Sequence, residues 1–304
     1  MPTTALPDDL QAATRDADAL VAFLDGLPEV ADADVLGRAA RTAVAPVDPD
    51  ERRELANTAI TLLECTVLDA ETTPEAVEEA ARRAAHPGGE DAPDVPAIAA
   101  LRVHADRVET LATAVADTPV RASAVAGGYP HGRSPLPVRV AEVEAALAAG
   151  AEEIDVVLDR AAFLHGRPYA AFEQLVALRE ACGDARCTVT IEAGALPDAG
   201  AVQAAAWVAA LAGADAVNTS TTEPGRAASF EAALVCLEVT RQVADRTGRT
   251  VGVEATGGIQ ASDEALRYLG LARAVGGDAQ LEPARYRLGA TSALLASLVA
   301  ARAV

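Results

Sequence analysis

The stretch GAEEIDVVLDRAAFLHG, residues 150–166, contains a short apolar run, EEIDVVL (152–158). A longer helical stretch begins near Pro168, and a second apolar run, CTVTIEAG (187–194), follows it. Short apolar runs that alternate with Ala-rich helical stretches are typical of parallel strands that are buried on both faces. This part of the chain therefore predicts a strand, a helix and a second strand parallel to the first.

The same unit recurs along the chain. The apolar runs are ITLLECTVL (60–68), AIAALRV (97–103), VRASAVAG (120–127), EEIDVVL (152–158), CTVTIEAG (187–194), DAVNTS (215–220), TVGVEATGG (250–258) and ARYRLGAT (284–291). The helices between them are predicted to begin near Thr73, His104, Pro135, Pro168, Pro197, Arg226, Ser262 and Thr291. Eight such units predict an α/β fold, a (β/α)₈ TIM barrel of residues 59–304. A doubly wound open sheet is the alternative, but no G-x-G-x-x-G follows the first run.

Residues 1–58 have a different pattern, which is polar and helical and is interrupted by prolines in AVAPVDPDERRE (43–54). No ninth strand is predicted there. We therefore expect an N-terminal helical extension that packs on the barrel.

The charge and cysteine content exclude several classes of protein. The chain has 45 acidic and 25 basic residues and a formal net charge of -20. Such a surface repels nucleic acid and anionic lipid, so we expect neither as a partner. Cys65, Cys182, Cys187 and Cys236 form no C-x-x-C pair, which argues against a zinc site or a disulfide framework. No apolar run is long enough for a membrane span and no signal peptide is recognisable, so we expect a cytoplasmic protein.

All 25 basic residues are arginine, and the chain contains no lysine. Schiff-base chemistry in enzymes uses the amine of a lysine side chain as the nucleophile. The composition therefore excludes a lysine imine as a catalytic intermediate, whatever the fold.

The strand ends carry the candidate functional residues, because active sites of (β/α)₈ barrels lie at the carboxyl ends of the strands. The polar residues at these ends are Glu64, Thr66, His131, Asp155, Glu192, Asn218, Thr219, Ser220, Glu254, Thr291 and Ser292. A carboxylate inside a buried strand, such as Asp155, must be paired or functional, or bonded to the neighbouring backbone. His131 is more consistent with a loop histidine than with a catalytic one, and Glu192 is equally consistent with a structural partner of an arginine.

Two glycine-containing turns suggest a phosphate site. Gly257 and Gly258 follow the seventh strand, and Gly289, Thr291 and Ser292 follow the eighth. Bare backbone N–H groups at helix N-termini bind phosphate, and barrels commonly place such a site after these two strands. A tight turn between strand and helix remains the alternative reading of the Gly-Gly pair.

Several longer motifs resemble one enzyme family. They are GAEEIDVVLDRAAFLHG, TVTIEAG, DAVNTST, VGVEATGGI and ARYRLGATSALLASL, in this order over residues 60–302, together with ECTVLD and YPHG. This set resembles deoxyribose-phosphate aldolase. The resemblance implies a (β/α)₈ barrel and a class I aldolase of deoxyribonucleotide catabolism. That enzyme joins acetaldehyde to glyceraldehyde 3-phosphate, reversibly, through a lysine imine and without a cofactor.

The chain departs from the family where the resemblance places its two lysines. The position of the imine-forming lysine is Asn218, and the position of the second lysine, which lowers the pKa of the first, is Glu254. A compositional drift from lysine would give arginine, so these changes are local. We expect a hydrogen bond between the two side chains, which lie on adjacent strands. Asp155 matches an aspartate that the family shares.

The phosphate-binding motifs are retained only in part. Thr219, Ser220, Gly257, Gly258, Gly289, Thr291 and Ser292 match. In contrast, Thr222-Glu223 replaces a Gly-Lys pair, and Gln260 stands where the family often has arginine. A neutral bond to phosphate is about half as strong as a charge-assisted one. We therefore expect weak binding of a sugar phosphate.

These observations leave two hypotheses of different classes. The first is a pseudoenzyme, with a structural or regulatory role as partner of an active paralogue or as a homo-oligomer. The second is a lyase that acts on deoxyribose 5-phosphate or a related sugar phosphate by a modified mechanism, in which Asp155, Glu192 and Glu254, with Asn218, hold a hard cation such as Mg²⁺. The α-amino group is a less favoured nucleophile, since it belongs to the extension.

Overall fold

The barrel is closed by eight parallel strands in chain order, and the last strand pairs with the first. The computed structural model describes residues 6–43, 51–222 and 229–302. The strands are β1 (Leu63–Val67), β2 (Ala100–His104), β3 (Arg121–Val125), β4 (Glu153–Val157), β5 (Arg186–Thr190), β6 (Ala216–Asn218), β7 (Gly252–Ala255) and β8 (Tyr286–Ala290). Six of them lie within an apolar run of the sequence, whereas β2 and β5 each extend one residue beyond their run, at His104 and at Arg186. The predicted (β/α)₈ barrel is confirmed.

Helices separate consecutive strands and form the outer layer. They are α5 (Pro74–Ala85), α6 (Val108–Val115), α7 (Leu136–Ala148), α8 (Arg160–Leu164), α9 (Pro168–Cys182), α10 (Ala199–Leu211), α11 (Phe230–Thr247), α12 (Ser262–Gly276) and α13 (Ser292–Ala301). A 3₁₀ turn at residues 105–107 delays the second helix beyond the predicted start near His104. The predicted start at Arg226 lies outside the described residues, and α11 begins at Phe230.

Side-chain caps set the beginning of several helices. The hydroxyl of Thr73 accepts the N–H of Ala76 at α5, and Asp198 accepts the N–H of Ala201 at α10. Such caps satisfy backbone donors that have no partner inside the helix. They fix the points at which the chain leaves the barrel mouth, which is where the candidate site residues lie.

Before β1, the described residues 6–43 and 51–61 form four helices: α1 (Asp8–Ala13), α2 (Ala17–Asp25), α3 (Asp32–Ala43) and α4 (Arg52–Thr61). α2 packs on α9, and α3 packs on α11 and α12. Phe23 of α2 meets the buried ring of Trp207 edge to face at 5.3 Å, and the guanidinium of Arg246 covers both rings. These helices lie on the outside of the barrel. α4 spans residue 58, where the sequence predicts the domain boundary, and that boundary stays a prediction.

In the described part of the chain, no helix has both the length and the apolar character that crossing a membrane requires.

Arg302 ties the end of the chain to the start of the barrel. Its side chain is buried at the end of α13; Nε donates to Oδ1 of Asn57 at 2.5 Å, and Nη2 donates to Oδ2 of Asp94 at 2.7 Å. We expect Arg302→Ala to lower the free energy of unfolding by about 1–3 kcal/mol, because it removes two charge-assisted hydrogen bonds. Urea titration followed by circular dichroism measures the change.

Arg273→Ala is the matched control, because Arg273 pairs with Asp278 on the exposed surface. Exposed pairs contribute about 0–1 kcal/mol. Equal losses for the two variants would show that the buried contacts of Arg302 do not stabilise the fold.

Candidate active site

The interior of the barrel is polar and closed. The inward-facing side chains belong to all eight strands, and each is at most 6% exposed. They are Glu64, Arg102, Ser123, Glu153, Asp155, Thr190, Asn218, Glu254 and Arg287. Because buried charges are costly unless they are paired, the partners of these groups decide what the interior can do.

Arg102 of β2 lies at the centre of this set. Its Nη2 is 2.8 Å from Oε1 of Glu64 on β1 and 2.9 Å from Oε2 of Glu254 on β7. Its Nη1 is 2.9 Å from Oδ2 of Asp155 on β4, and Nε donates to the hydroxyl of Ser123 on β3 at 3.3 Å. One guanidinium thus joins four other strands across the barrel.

Arg287 of β8 forms a second ion cluster that is continuous with the first. Nη2 donates to Oε1 of Glu153 at 2.8 Å, and Nη1 donates to Oε2 of Glu64 at 2.9 Å. Glu64 therefore bridges the two guanidinium groups, with Oε1 facing Arg102 and Oε2 facing Arg287.

Asn218 and Glu254 have different partners, although their Cα atoms are register neighbours on β6 and β7. The amide nitrogen of Asn218 donates to Oδ2 of Asp155 at 3.3 Å, and its oxygen accepts the N–H of Ser220. Oε2 of Glu254 accepts from Arg102, and its buried Oε1 has no hydrogen-bond partner. The predicted hydrogen bond between Asn218 and Glu254 is therefore wrong, because a guanidinium is the stronger partner for a buried carboxylate.

Asp155 is completely buried. Besides Arg102 and Asn218, it accepts a hydrogen bond of 2.7 Å from the hydroxyl of Thr190 on β5. The sequence argument that a carboxylate in this strand must be paired is thus supported by three partners.

Glu192 lies apart from the ion clusters, just beyond the end of β5, in a left-handed backbone conformation. Oε1 accepts from the hydroxyl of Ser220 at 2.9 Å, and Oε2 accepts from the N–H of Thr221 at 3.0 Å and from its hydroxyl. Its partners are hydroxyl and backbone groups. The alternative reading of Glu192 as the partner of an arginine is not what the structure shows.

The three carboxylates considered for a metal site do not come together. Asp155 and Glu254 lie against the guanidinium of Arg102, whereas Glu192 is bonded to the loop after β6. Over the three described ranges, no group of three His, Cys, Asp or Glu side chains is arranged to hold a metal ion. The geometry therefore does not favour a metal-assisted reaction.

The glycines of the suggested phosphate site adopt conformations or positions that need glycine. Gly257 and Gly258 have φ values of 109° and 83°, and a Cβ at Gly289 would lie 2.1 Å from Oγ1 of Thr256. These requirements are met by packing alone. The N–H of Gln260, just after the Gly-Gly pair, donates to the Glu264 carboxylate at 3.1 Å, so an acidic group already uses this donor.

The hydroxyl groups near these glycines are also engaged. Thr219 donates to the carbonyl of Thr256 at 3.1 Å, and Ser220 donates to Glu192. Thr291 precedes α13 without a side-chain cap, and Ser292 is the first residue of that helix. Glu223, which the sequence places near this site, lies outside the described residues. These contacts agree with weak phosphate binding, which stays a prediction.

Sequence reasoning missed Arg102 and Arg287. Arg102 is the one arginine in AIAALRV (97–103), and Arg287 is the second of two arginines in ARYRLGAT (284–291) and the one that lies within the strand. The argument that identified Asp155, that a charge in a buried strand must be paired, applies equally to a cation. It would have identified both residues.

The ion clusters shift the acidities of the buried carboxyl groups in opposite directions. Burial alone raises the pKa of Glu64, but the charges of Arg102 and Arg287 outweigh burial and lower it to about 2. Burial, together with the negative charges of Glu64 and Asp155, raises the pKa of Glu254 to about 7 against the effect of Arg102. Burial likewise raises the pKa of Asp155. With a pKa of about 7, Glu254 takes up a proton near neutral pH.

We expect Glu254 to make the free energy of unfolding fall as the pH rises from about 4.5 to about 7. Its pKa is higher in the folded chain, so the stabilisation is complete below the ordinary value of 4.5 and is lost as the pH passes about 7. Glu254→Gln keeps the shape of the neutral carboxyl and should remove this dependence, on the order of 2 kcal/mol. Urea titrations of both proteins at about pH 5 and about pH 8 measure it.

Glu64→Gln is the matched control. The pKa of Glu64 is lowered, so the folded chain needs its charged form, and the variant should lose about 3–5 kcal/mol at both pH values. If Glu254→Gln loses stability with pH as steeply as the unchanged chain, the proton does not reside on Glu254.

Comparison with known proteins places this barrel in a family. Residues 56–276 match the model of the DeoC/LacD family aldolases. The human deoxyribose-phosphate aldolase is 31% identical over 252 residues, which cover 78% of this chain and 77% of that protein. Two solved structures share the fold at 20% identity. A Toxoplasma gondii protein provisionally identified as a deoxyribose-phosphate aldolase has a TM-score of 0.74, with 84% of this chain and 97% of that one covered.

The second structure is the deoxyribose phosphate aldolase of Aeropyrum pernix, described as a tetramer, with a TM-score of 0.63 over 89% of this chain and 97% of that one. The fold alone is common to these structures, whereas the family match rests on sequence and spans most of the barrel. On that ground, the chain with the Arg102-centred interior belongs to the DeoC/LacD family of aldolases.

Proposed function

We propose that this chain is a pseudoenzyme of the deoxyribose-phosphate aldolase type, which forms no imine and acts as a structural or regulatory subunit. One observation carries the proposal. The chain contains no lysine, and the two positions that match the family's lysines are an amide bonded to Asp155 and a carboxyl bonded to Arg102.

The chemistry of these groups supports the loss of imine catalysis. An imine forms when a neutral amine adds its lone pair to a carbonyl carbon and water then leaves. The lone pair of the Asn218 amide nitrogen is delocalised into the carbonyl group, and Glu254 has no nitrogen. The other side-chain nitrogens bonded to Asp155 and Glu254 belong to Arg102, whose pKa is raised well above its ordinary value by three carboxylates despite burial. It stays protonated and has no free lone pair.

Access to the interior is a second obstacle. Asp155, Asn218 and Glu254 are each at most 2% exposed. A sugar phosphate must bring its carbonyl carbon into contact with the nucleophile, and the described side chains leave no exposed surface at these positions. An aldolase reaction thus lacks both a nucleophile and an approach to its position.

A role in assembly is supported by the outer layer of helices. The changes at positions 218 and 254 lie inside the barrel and leave these helices intact. The Aeropyrum pernix relative is described as a tetramer. We propose that this chain associates in the cytoplasm with an active paralogue or with further copies of itself, and that any sugar phosphate binds weakly.

Borohydride trapping tests the loss of imine chemistry directly. We expect no adduct on any side chain when the purified chain is treated with deoxyribose 5-phosphate and borohydride, because its one aliphatic amine is the α-amino group. Intact mass and peptide mapping measure the adduct, with the human deoxyribose-phosphate aldolase as positive control. Retro-aldol turnover, or a substrate-dependent adduct at the α-amino group together with turnover, would overturn the proposal.

Assembly is tested by purification of the chain from its native host. We expect it to elute in light-scattering experiments as a complex larger than one chain, either with itself or with a relative that carries both lysines. A monomer at cellular concentration, with no aldolase relative in the preparation, would contradict the assembly role while leaving the trapping result unaffected.

A further inference from the structure

Arg102 lies beside both of the positions that match the family's lysines. Its Nη1 is 2.9 Å from Oδ2 of Asp155, and the amide nitrogen of Asn218 is 3.3 Å from that same oxygen. Its Nη2 is 2.9 Å from Oε2 of Glu254. The guanidinium therefore occupies the space that a group bound to either position would enter.

We propose that Arg102 is a specificity-determining residue, whose guanidinium excludes carbonyl substrates from the barrel interior independently of the changes at Asn218 and Glu254. This inference rests on the proposed function and names the side chain that enforces it. Its consequence is that two lysines alone do not restore imine chemistry while Arg102 is present.

Sterically, Arg102 cannot move aside without cost. Its nitrogens contact the side chains of Glu64, Ser123, Asp155 and Glu254, which come from four strands, and the side chain is 3% exposed. Displacing the guanidinium would leave Asp155 and Glu254 without a cation and Glu64 with Arg287 alone, which a weakly bound aldehyde cannot compensate. These contacts therefore hold the guanidinium between the two positions that match the lysines.

Charge leads to the same conclusion. Four carboxyl groups now face two guanidinium groups in the interior, namely Glu64, Glu153, Asp155 and Glu254 against Arg102 and Arg287. With Asn218→Lys and Glu254→Lys, three carboxylates would face four cations, one of them in direct contact with another. Replacing Arg102 as well by a neutral residue makes the numbers of carboxylates and cations equal, at three each, with the new amines beside Glu64 and Asp155.

The experiment compares Asn218→Lys/Glu254→Lys with the same pair plus Arg102→Ser. Each protein is incubated with acetaldehyde and borohydride, and peptide mapping measures the ethyl group on the side chain at position 218. We expect about a hundredfold more adduct in the triple variant, because placement of the reacting atoms is worth that much. Arg102→Ser alone is the control, since it opens the site without supplying an amine. Because the chain has no other lysine, background labelling is confined to the α-amino group.

Every outcome decides between the two ideas. Equal labelling of the double and triple variants overturns the role of Arg102. It leaves unaffected the proposal that the unchanged chain forms no imine. A triple variant that has native circular dichroism and a cooperative melt but no adduct also overturns it. Labelling or turnover by the unchanged chain defeats the proposed function instead. If Arg102→Ser prevents folding, Arg102→Gln, which keeps the stem and a polar end, is judged by the same criterion.

Discussion

The burial of one guanidinium group is the constraint on which the barrel interior depends. Arg102 lies almost wholly out of water, and an ion in such a place costs several kcal/mol unless its charge and all its donors are satisfied. Glu64, Asp155 and Glu254 supply that charge from three strands, and Ser123 accepts from the remaining nitrogen on a fourth. Because each partner belongs to a different strand, the ion cluster fixes the positions of those strands relative to β2.

The same cluster explains how a residue shared with the family can have a different use. The resemblance places the imine-forming lysine at position 218, where Asn218 contacts Asp155, whereas here the cationic partner of Asp155 is Arg102 from another strand. Asp155 keeps its position, and as a buried carboxylate it still requires a cationic partner. That partner is now an arginine. The residue at position 254 also matches the charge of Arg102. The carboxylate of Glu254 is attracted to the guanidinium, whereas a lysine at this position would be repelled by it.

Much of the fold is readable from the sequence, because strand positions follow from local pattern. Each of the eight strands extends at most one residue beyond the apolar run that predicts it, and Thr73 caps a helix where the sequence predicts one to begin. Asp155 was recognised because a buried carboxylate is conspicuous. What the sequence could not supply is the choice of partner across the barrel. Asn218 and Glu254 are register neighbours, yet each bonds to a residue from a distant part of the chain.

Partners of this kind depend on side-chain length and on competition between donors, neither of which is local. Arg102 reaches from β2 to β7 because its side chain is long enough to cross the barrel, and it outcompetes a neutral amide for Glu254. Glu192 was a candidate for an arginine partner by type alone, but its left-handed backbone directs it to Ser220 and Thr221. Composition indicated what was missing from the active site, and only the structure identified what had replaced it.

The ion cluster also limits how the interior can change by single substitutions. Removing one member of a buried ion pair leaves an unpaired charge and costs about 3–5 kcal/mol, a large part of the roughly 5–15 kcal/mol that stabilises a domain. Replacing all members together by apolar residues is often neutral, but no single step reaches that state. A lysine at position 254 would face Arg102 at contact distance, and a serine at position 102 would leave Asp155 and Glu254 without a cation. A lysine at position 254 is therefore unfavourable while Arg102 is present, and the loss of Arg102 is unfavourable while Glu254 is present. Asn218, Glu254 and Arg102 are thus best considered as one feature of the interior.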